Sequence, residues 1–239
     1  FSLVVMTNKK LIGIRDPFGI RPLVLGDLDG SPILTSETCS LDIIGAKFVR
    51  EIENGEIVVF SKDKTKSIKP FPKVKCRPDI FEYIYFSRPD SVLGGKNIYE
   101  CRKRYGFQLA KESKTKADLV TAVPDSGMPA AIGYAEESGI PFELGLIRNH
   151  YVGRTFIEPK QQVRQFGVKL KHNANSQCIK GKSIILIDDS IVRGTTCSKI
   201  VQMLRDAGAK EIHLKIASPP ITHPDYYGVD TPSQEELLA

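Results

Sequence analysis

The 239-residue chain carries a net charge of +6, a pI near 9.0 and no tryptophan; its spread-out basic residues favour a polyanionic substrate over nucleic acid. Its length admits one large domain or two smaller ones, with a sizeable buried core. Five scattered cysteines (Cys39, Cys76, Cys101, Cys178, Cys197) without a C-x-x-C pair exclude a disulfide framework and a zinc site, and no signal peptide or membrane-length apolar run is present, so a reduced, soluble, cytoplasmic protein without a membrane partner is expected.

The first part reads as β-rich. Phe1–Met6 already looks like the middle of a sheet, which implies that the chain begins inside a domain. Ser2–Met6 and Leu11–Arg15 flank a turn at Thr7–Lys10, and Asp27-Leu28-Asp29-Gly30 separates two further short strands. A short helical piece runs from Cys39 to Ala46. Phe48–Ile52 and Glu56–Phe60 flank Asn54-Gly55, a pair that predicts a type I′ hairpin. Lys62, Lys64, Lys66, Lys69, Lys73, Lys75 and Arg77, mixed with Pro70, Pro72 and Pro78, read as a solvated linker.

From about residue 80 helices alternate with apolar strands. A helix over Tyr99–Lys114 precedes a strand at Leu119–Val123. A second helix from Pro129 to Gly139 precedes a strand at Phe142–Ile147, and a last strand lies at Ile212–Ala217. That order predicts a mostly parallel sheet flanked by helices, whose ligands bind beyond the carboxyl ends of the strands. The turn Val123-Pro124-Asp125-Ser126-Gly127 falls at such an end. Its small residues let backbone N–H groups approach a phosphate, although P-D-S-G is also an everyday turn. The stretch Arg148–Pro159 falls at another. About thirty-five residues separate the Phe142 strand from the next, which suggests a lid with Arg154 as a phosphate clamp, or a solvated surface excursion. The four histidines (His150, His172, His213, His223) show no metal-ligand spacing.

The most informative segment is Ile184–Thr195. An apolar run, Ile184–Ile187, predicts a strand buried on both faces. Asp188 and Asp189 end it. Ser190, Arg193, Gly194, Thr195 and Thr196 form a hydroxyl-rich turn, and from Cys197 a helical period begins that closes at Gly208. Turn N–H groups, hydroxyls and a helix dipole suit a phosphate, while the acids suit sugar hydroxyls or a magnesium ion. A Walker B reading fails. The only G-K-S triplet, Gly181-Lys182-Ser183, has Ser176 where the first glycine belongs and precedes a strand instead of following one.

This segment resembles the ribose-phosphate loop of type I phosphoribosyltransferases, which act on phosphoribosyl pyrophosphate. Together with Glu82–Ser91, Tyr151–Ile157, Arg15–Leu23 and Ser36–Cys39, it makes the whole chain similar to the glutamine phosphoribosylpyrophosphate amidotransferase (amidophosphoribosyltransferase) family. The resemblance implies an α/β type I phosphoribosyltransferase fold at residues 73–239. A partial, β-rich, N-terminal-nucleophile glutaminase domain at residues 1–72 would precede it. It implies transfer of glutamine-derived ammonia to phosphoribosyl pyrophosphate, giving 5-phosphoribosylamine and pyrophosphate in purine biosynthesis. By the same resemblance, Asp188 and Asp189 bind the ribose hydroxyls and, with Ser126, hold Mg²⁺. Ser190, Ile191, Val192, Arg193, Gly194, Thr195 and Thr196 wrap the 5′-phosphate. Val123, Pro124, Asp125, Ser126 and Gly127 line the pyrophosphate, and Tyr151 and Arg154 belong to a closing loop. Purine nucleotides as inhibitors and a homo-oligomer at full length are further implications.

The departures from that family are specific. Its N-terminal nucleophilic cysteine has no counterpart here, so glutamine hydrolysis is not expected of this chain. The family continues beyond Glu235-Glu236-Leu237-Leu238, so its later C-terminal helices are not expected in this chain. His150 stands where arginine is more usual. Asp79 and Asp225 occupy the positions of cysteines that hold an iron–sulfur cluster in some members, which argues against a cluster. Two other readings remain. One is a non-catalytic remnant or nucleotide-sensing regulator with the same fold. The other is a nucleobase salvage phosphoribosyltransferase, which leaves the β-rich start unexplained.

Overall fold

The computed structural model describes residues 1–62, 64–151, 171–227 and 233–238. Two compact units meet within the chain near residue 101, and short pieces of the C-terminal segment belong to each. In the first unit, β1 (Ser2–Met6), β2 (Lys10–Arg15), β6 (Ile57–Ser61) and β7 (Lys64–Ile68) form one antiparallel sheet in the order β1-β2-β6-β7. β3 (Val24–Leu28), β4 (Ser31–Thr35) and β5 (Lys47–Glu51) form a second, in the order β4-β3-β5. Alternation along β3 explains the layering. Leu25 joins Leu23, Ile52 and Val58 in one cluster, while Val24 turns to the other face and packs on Leu41 of α1 (Thr38–Ile44). Side chains from both sheets therefore share the first cluster, and α1 covers the outer face of the second sheet.

Two expectations for this unit are corrected. Asn54-Gly55 does not close a hairpin, because β5 pairs with β3 whereas β6 pairs with β2 and β7. Gly55 has φ +75°, but Asn54 is not among the residues with positive φ, so the I′ geometry is absent. The turn closes locally instead, with Glu56 N–H donating to the Glu53 carbonyl. The basic stretch is also not wholly linker. Lys64–Ile68 is an edge strand, β7, whose lysines face solvent. Beyond it come a π-helical turn at Glu82–Phe86, a small hairpin of β8 (Val92–Leu93) and β9 (Lys96–Asn97), and α2 (Ile98–Glu112).

The second unit is built on a parallel sheet of β10 (Leu119–Ala122), β13 (Ser183–Asp188) and β14 (Glu211–Ile216), with β13 central. Ile184 to Ile187 have no exposed surface. Their period of two sends Ile185 and Ile187 to α3 (Met128–Ser138), where they meet Ala130, Ala131 and Tyr134. Ile184 and Leu186 go to α5 (Thr195–Asp206), meeting Ile200 and Leu204. This is the helix-covered, mostly parallel α/β sheet read from the sequence. The expected strand Phe142–Ile147 is shorter and displaced. Phe142 makes only an isolated parallel bridge to Val120, and β11 (Leu146–Arg148) pairs antiparallel with β12 (His172–Ala174). Three residues per strand leave no period to read. A single-turn α4 (Ser176–Ile179) follows β12. Among the described residues no helix is long and apolar enough to cross a membrane.

Candidate phosphoribosyl site

Adjacent parallel strands end side by side, and that registers two distant sequence motifs. β10 pairs with β13 as far as Ala122 opposite Ile187, and Val123 N–H donates to the Ile187 carbonyl at 2.8 Å. The turn Val123–Gly127 therefore leaves the sheet beside the acid pair. Gly127 N–H donates back to the Val123 carbonyl (3.0 Å), and α3 begins at Met128 with Pro129 in its first turn. A Cβ on Gly127 would lie 2.6 Å from the Ile187 carbonyl oxygen, so only glycine lets the turn approach β13 this closely. The Pro124–Asp125 peptide is cis.

Asp188 and Asp189 are each 8% exposed. Their carbonyls accept from Ala217 and Ser218 N–H beyond the end of β14, which fixes the backbone of the pair. Ser126 Oγ donates to Asp189 Oδ1 at 3.2 Å across 63 sequence positions, and Ser190 Oγ donates to Oδ2 of the same carboxylate at 3.3 Å. Asp188 Oδ1 accepts from Asp189 N–H at 2.9 Å. Burial, and then the adjacent Asp189 charge, push the Asp188 carboxyl up to about 8. A buried carboxylate with so little compensation is suited to meet hydroxyl donors or a cation. Among the described residues no group of three or more ligating side chains is assembled. Two carboxylates and a hydroxyl do not cage a metal, but hard oxygen donors in that number fit Mg²⁺, which keeps waters and takes oxygens from a phosphorylated ligand.

After the acids the chain turns through Ser190, Ile191 and Val192, all partly buried, to the exposed Arg193. Gly194, at φ +70°, caps α5. Ser198 N–H is the first to find a helical acceptor, the Gly194 carbonyl at 3.0 Å, so the N–H groups of Thr195, Thr196 and Cys197 have none within the helix. Exposed Thr195 and Thr196 add hydroxyls beside them. A twelve-residue helix thus presents its positive end next to the acid pair.

Two side chains flank the first turn, one from the start of the Arg148–Pro159 stretch and one that the sequence did not single out. The Arg148 guanidinium pairs with the Asp125 carboxylate, and His172 Nε2 lies 3.4 Å from the Pro124 carbonyl oxygen. No sequence signal marks His172; the antiparallel register that sets it opposite Arg148 belongs to strands too short to recognise. Tyr151 is fully exposed, its N–H donating to Asn149 Oδ1. Arg154 and the rest of the expected loop to Pro159 lie outside the described residues. A separate cavity of about 340 Å³ in the first unit, lined by Ser2, Arg21, Pro22, Ser36, Glu37, Glu82 and Phe86, contains none of the residues expected to bind phosphoribosyl pyrophosphate. The two motif turns sit instead at the carboxyl ends of the strands, where open α/β sheets bind their ligands.

A parallel sheet with an acid pair, a small-residue turn and a helix N-terminus gathered at its carboxyl edge defines a phosphoribosyltransferase-type domain. The chain belongs to the phosphoribosyl transferase domain family, whose sequence model matches residues 91–219. Across its whole length it is 61% identical to the amidophosphoribosyltransferase of Rhizobium etli and 55% identical to the chloroplastic amidophosphoribosyltransferase 1 of Arabidopsis thaliana, covering 49% and 42% of those proteins. The solved glutamine phosphoribosylpyrophosphate amidotransferase of Bacillus subtilis, complexed with ADP and GMP, superposes with a TM-score of 0.90 at 49% identity, covering 99% of this chain and 52% of that one. The chain therefore spans about half the length of the curated relatives it matches, and the similarity includes its β-rich unit.

Proposed function

We propose that this chain is the part of an amidophosphoribosyltransferase that binds phosphoribosyl pyrophosphate and directs ammonia to its C1, giving 5-phosphoribosylamine and pyrophosphate in purine biosynthesis. The carrying observation is the convergence of Ser126 with Asp189 at the ends of two adjacent parallel strands, one leading to the Val123–Gly127 turn and the other to the open N-terminus of α5. In this reading Asp188 and Asp189 take the ribose hydroxyls, and the backbone and hydroxyls of Ser190–Thr196 hold the 5′-phosphate. Val123–Gly127 cradles the pyrophosphate. Ser126, Asp188 and Asp189 hold Mg²⁺, which when bound supplies charge neutralisation for the departing pyrophosphate. Tyr151 and Arg154 act from the neighbouring loop by excluding water.

The chemistry asks mainly for positioning. The C1–oxygen bond breaks with its electron pair leaving on pyrophosphate, ammonia forms the new C1–nitrogen bond with its lone pair, and the resulting ammonium gives up a proton. Ammonia is already a nucleophile, so no general base is required. We take residues 1–72 as part of a glutaminase domain and residues 73–239 as the phosphoribosyltransferase domain. None of the five cysteines lies in the nucleophile context of that family, so ammonium is the nitrogen donor for this chain. Glutamine as the source in the whole protein, inhibition by purine nucleotides, homo-oligomeric assembly and a cytoplasmic setting complete the reading.

Calorimetric titration with phosphoribosyl pyrophosphate, with and without Mg²⁺, tests it. The expected result is magnesium-dependent binding that Asp188→Asn/Asp189→Asn weakens by roughly a hundredfold or more, since two charge-assisted contacts are lost. Pyrophosphate release with ammonium as co-substrate should then exceed the background of that variant. No binding by folded protein would overturn the assignment in favour of a non-catalytic remnant, and turnover with a free nucleobase in place of ammonium would favour a salvage enzyme.

A further inference from the structure

Beyond the motif residues, we infer that His172 and Arg148, side by side on the β11–β12 ribbon, are positioning residues that hold the Pro124–Ser126 turn in its pyrophosphate-binding shape. The inference rests on the proposed function and adds to it a pair of residues to which the sequence assigned no role in shaping the turn. Arg148 and His172 are direct cross-strand partners. From that one register position they grip two successive residues of the turn, Arg148 through the Asp125 carboxylate and His172 through the Pro124 carbonyl. The ribbon is itself anchored to the sheet. Gly145 N–H, just before β11, donates to Thr121 Oγ1 of β10 at 3.0 Å, and Asn175 N–H, just after β12, donates to the Gly145 carbonyl at 2.9 Å. The turn is thus held by the ribbon at Pro124 and Asp125 and by the acid pair at Ser126, which is bonded to Asp189.

The chemistry of the imidazole fixes its role. A carbonyl oxygen only accepts, so the contact at 3.4 Å requires the proton on Nε2. Nδ1 is then a bare acceptor, and it is buried without a hydrogen-bond partner among the described residues. An apolar side chain of that size would avoid the orphaned nitrogen, which leaves the Nε2–H donor as the reason for a histidine here. Burial, opposed by the bond to the Pro124 carbonyl and by Asp125 and aided by Lys171 and Arg148, favours the neutral ring. A neutral donor suits a brace on a loop whose own backbone N–H groups must stay free for a polyanion.

The consequence is selective for one end of the ligand. Phosphoribosyl pyrophosphate and free pyrophosphate use the braced turn, whereas ribose 5-phosphate uses only the acid pair and the Ser190–Thr196 turn. In magnesium-containing buffer, His172→Leu is expected to weaken binding of phosphoribosyl pyrophosphate and of pyrophosphate by roughly five- to tenfold, the size of one lost hydrogen bond. Ribose 5-phosphate affinity should stay within about twofold. His172→Gln, which returns an N–H donor at similar reach, should restore most of the loss. Arg148→Met should act in the same direction on the same two ligands. Unchanged pyrophosphate binding in His172→Leu, equal losses for all three ligands, or no rescue by His172→Gln would each overturn the positioning role while the wild type still binds. Failure of the wild-type protein itself to bind phosphoribosyl pyrophosphate would overturn the proposed function, and the positioning role with it.

Discussion

A methyl group on Gly127 would meet the Ile187 carbonyl oxygen at 2.6 Å and the Val123 carbonyl oxygen at 3.0 Å, both backbone atoms that cannot swing aside. Gly127→Ala is therefore expected to push the turn off β13. Such overpacking destabilises by roughly 1–3 kcal/mol, and phosphoribosyl pyrophosphate affinity should fall with it, as thermal melting and calorimetry on the same sample will check. Glu56 tests a different kind of residue. It is buried and takes both guanidinium nitrogens of Arg50 at 2.7 and 2.8 Å, Ser67 Oγ at 2.7 Å and Glu53 N–H at 2.8 Å. The bond from Arg50, opposed by burial and helped by Ser67, holds its carboxyl down at about 2 against an ordinary 4.5. The unfolded chain therefore binds more protons between those values. The stabilisation is complete above pH 4.5 and is lost as the pH falls towards 2. Allowing for the partly exposed Arg50, it amounts to roughly 2 kcal/mol. Glu56→Gln should be less stable than wild type by about that amount at pH 7 and nearly equal to it at pH 2, measured by denaturant titration at both.

Among the elements, β13 was the most legible and also controls the site. Its four apolar residues alternate between α3 and α5, so a single strand carries both cores of the second unit and delivers the acid pair at its end. Leu186→Ala should cost about 2–5 kcal/mol by urea unfolding, and because the motif begins two residues later, ligand binding should weaken in step with stability. Long elements with a period, such as α2, α3 and α5, stood out in the sequence for the same reason β13 did. What stayed hidden had no period or borrowed a misleading one. Asn54-Gly55 carries the chemistry of a hairpin turn, yet β5 and β6 belong to different sheets, β5 pairing with β3 and β6 with β2. β7 was masked by its lysines, which mark an edge strand as readily as a linker. Within the site, the Ser126–Asp189 approach followed from strand-end logic. The bracing by Arg148 and His172 did not, since it depends on the register of two three-residue strands.

At the scale of the molecule, each unit has cores of its own, yet the β-rich strands are not self-sufficient. Arg21 pairs with Asp79 and Glu82, Glu37 accepts from Arg88 N–H and Ser91 Oγ at 2.7 Å each, and Glu51 accepts from Gly94 N–H. A fragment cut at residue 70 would strand all three side chains. It is expected to aggregate, and a cooperative unfolding transition in a monomeric 1–70 fragment would falsify that expectation. The two borders of the four-stranded sheet differ sharply. β7 carries Lys64 and Lys66, both exposed, whereas β1 shows solvent Leu3, Val4, Val5 and Met6. One border repels a further strand and the other invites it. Among the described residues of this sheet, β7 is thus the border that refuses a further strand and β1 the border at which one would add. Val5→Lys should lower the concentration-dependent light scattering of this chain, because it gives β1 the kind of guard that Lys64 and Lys66 give β7.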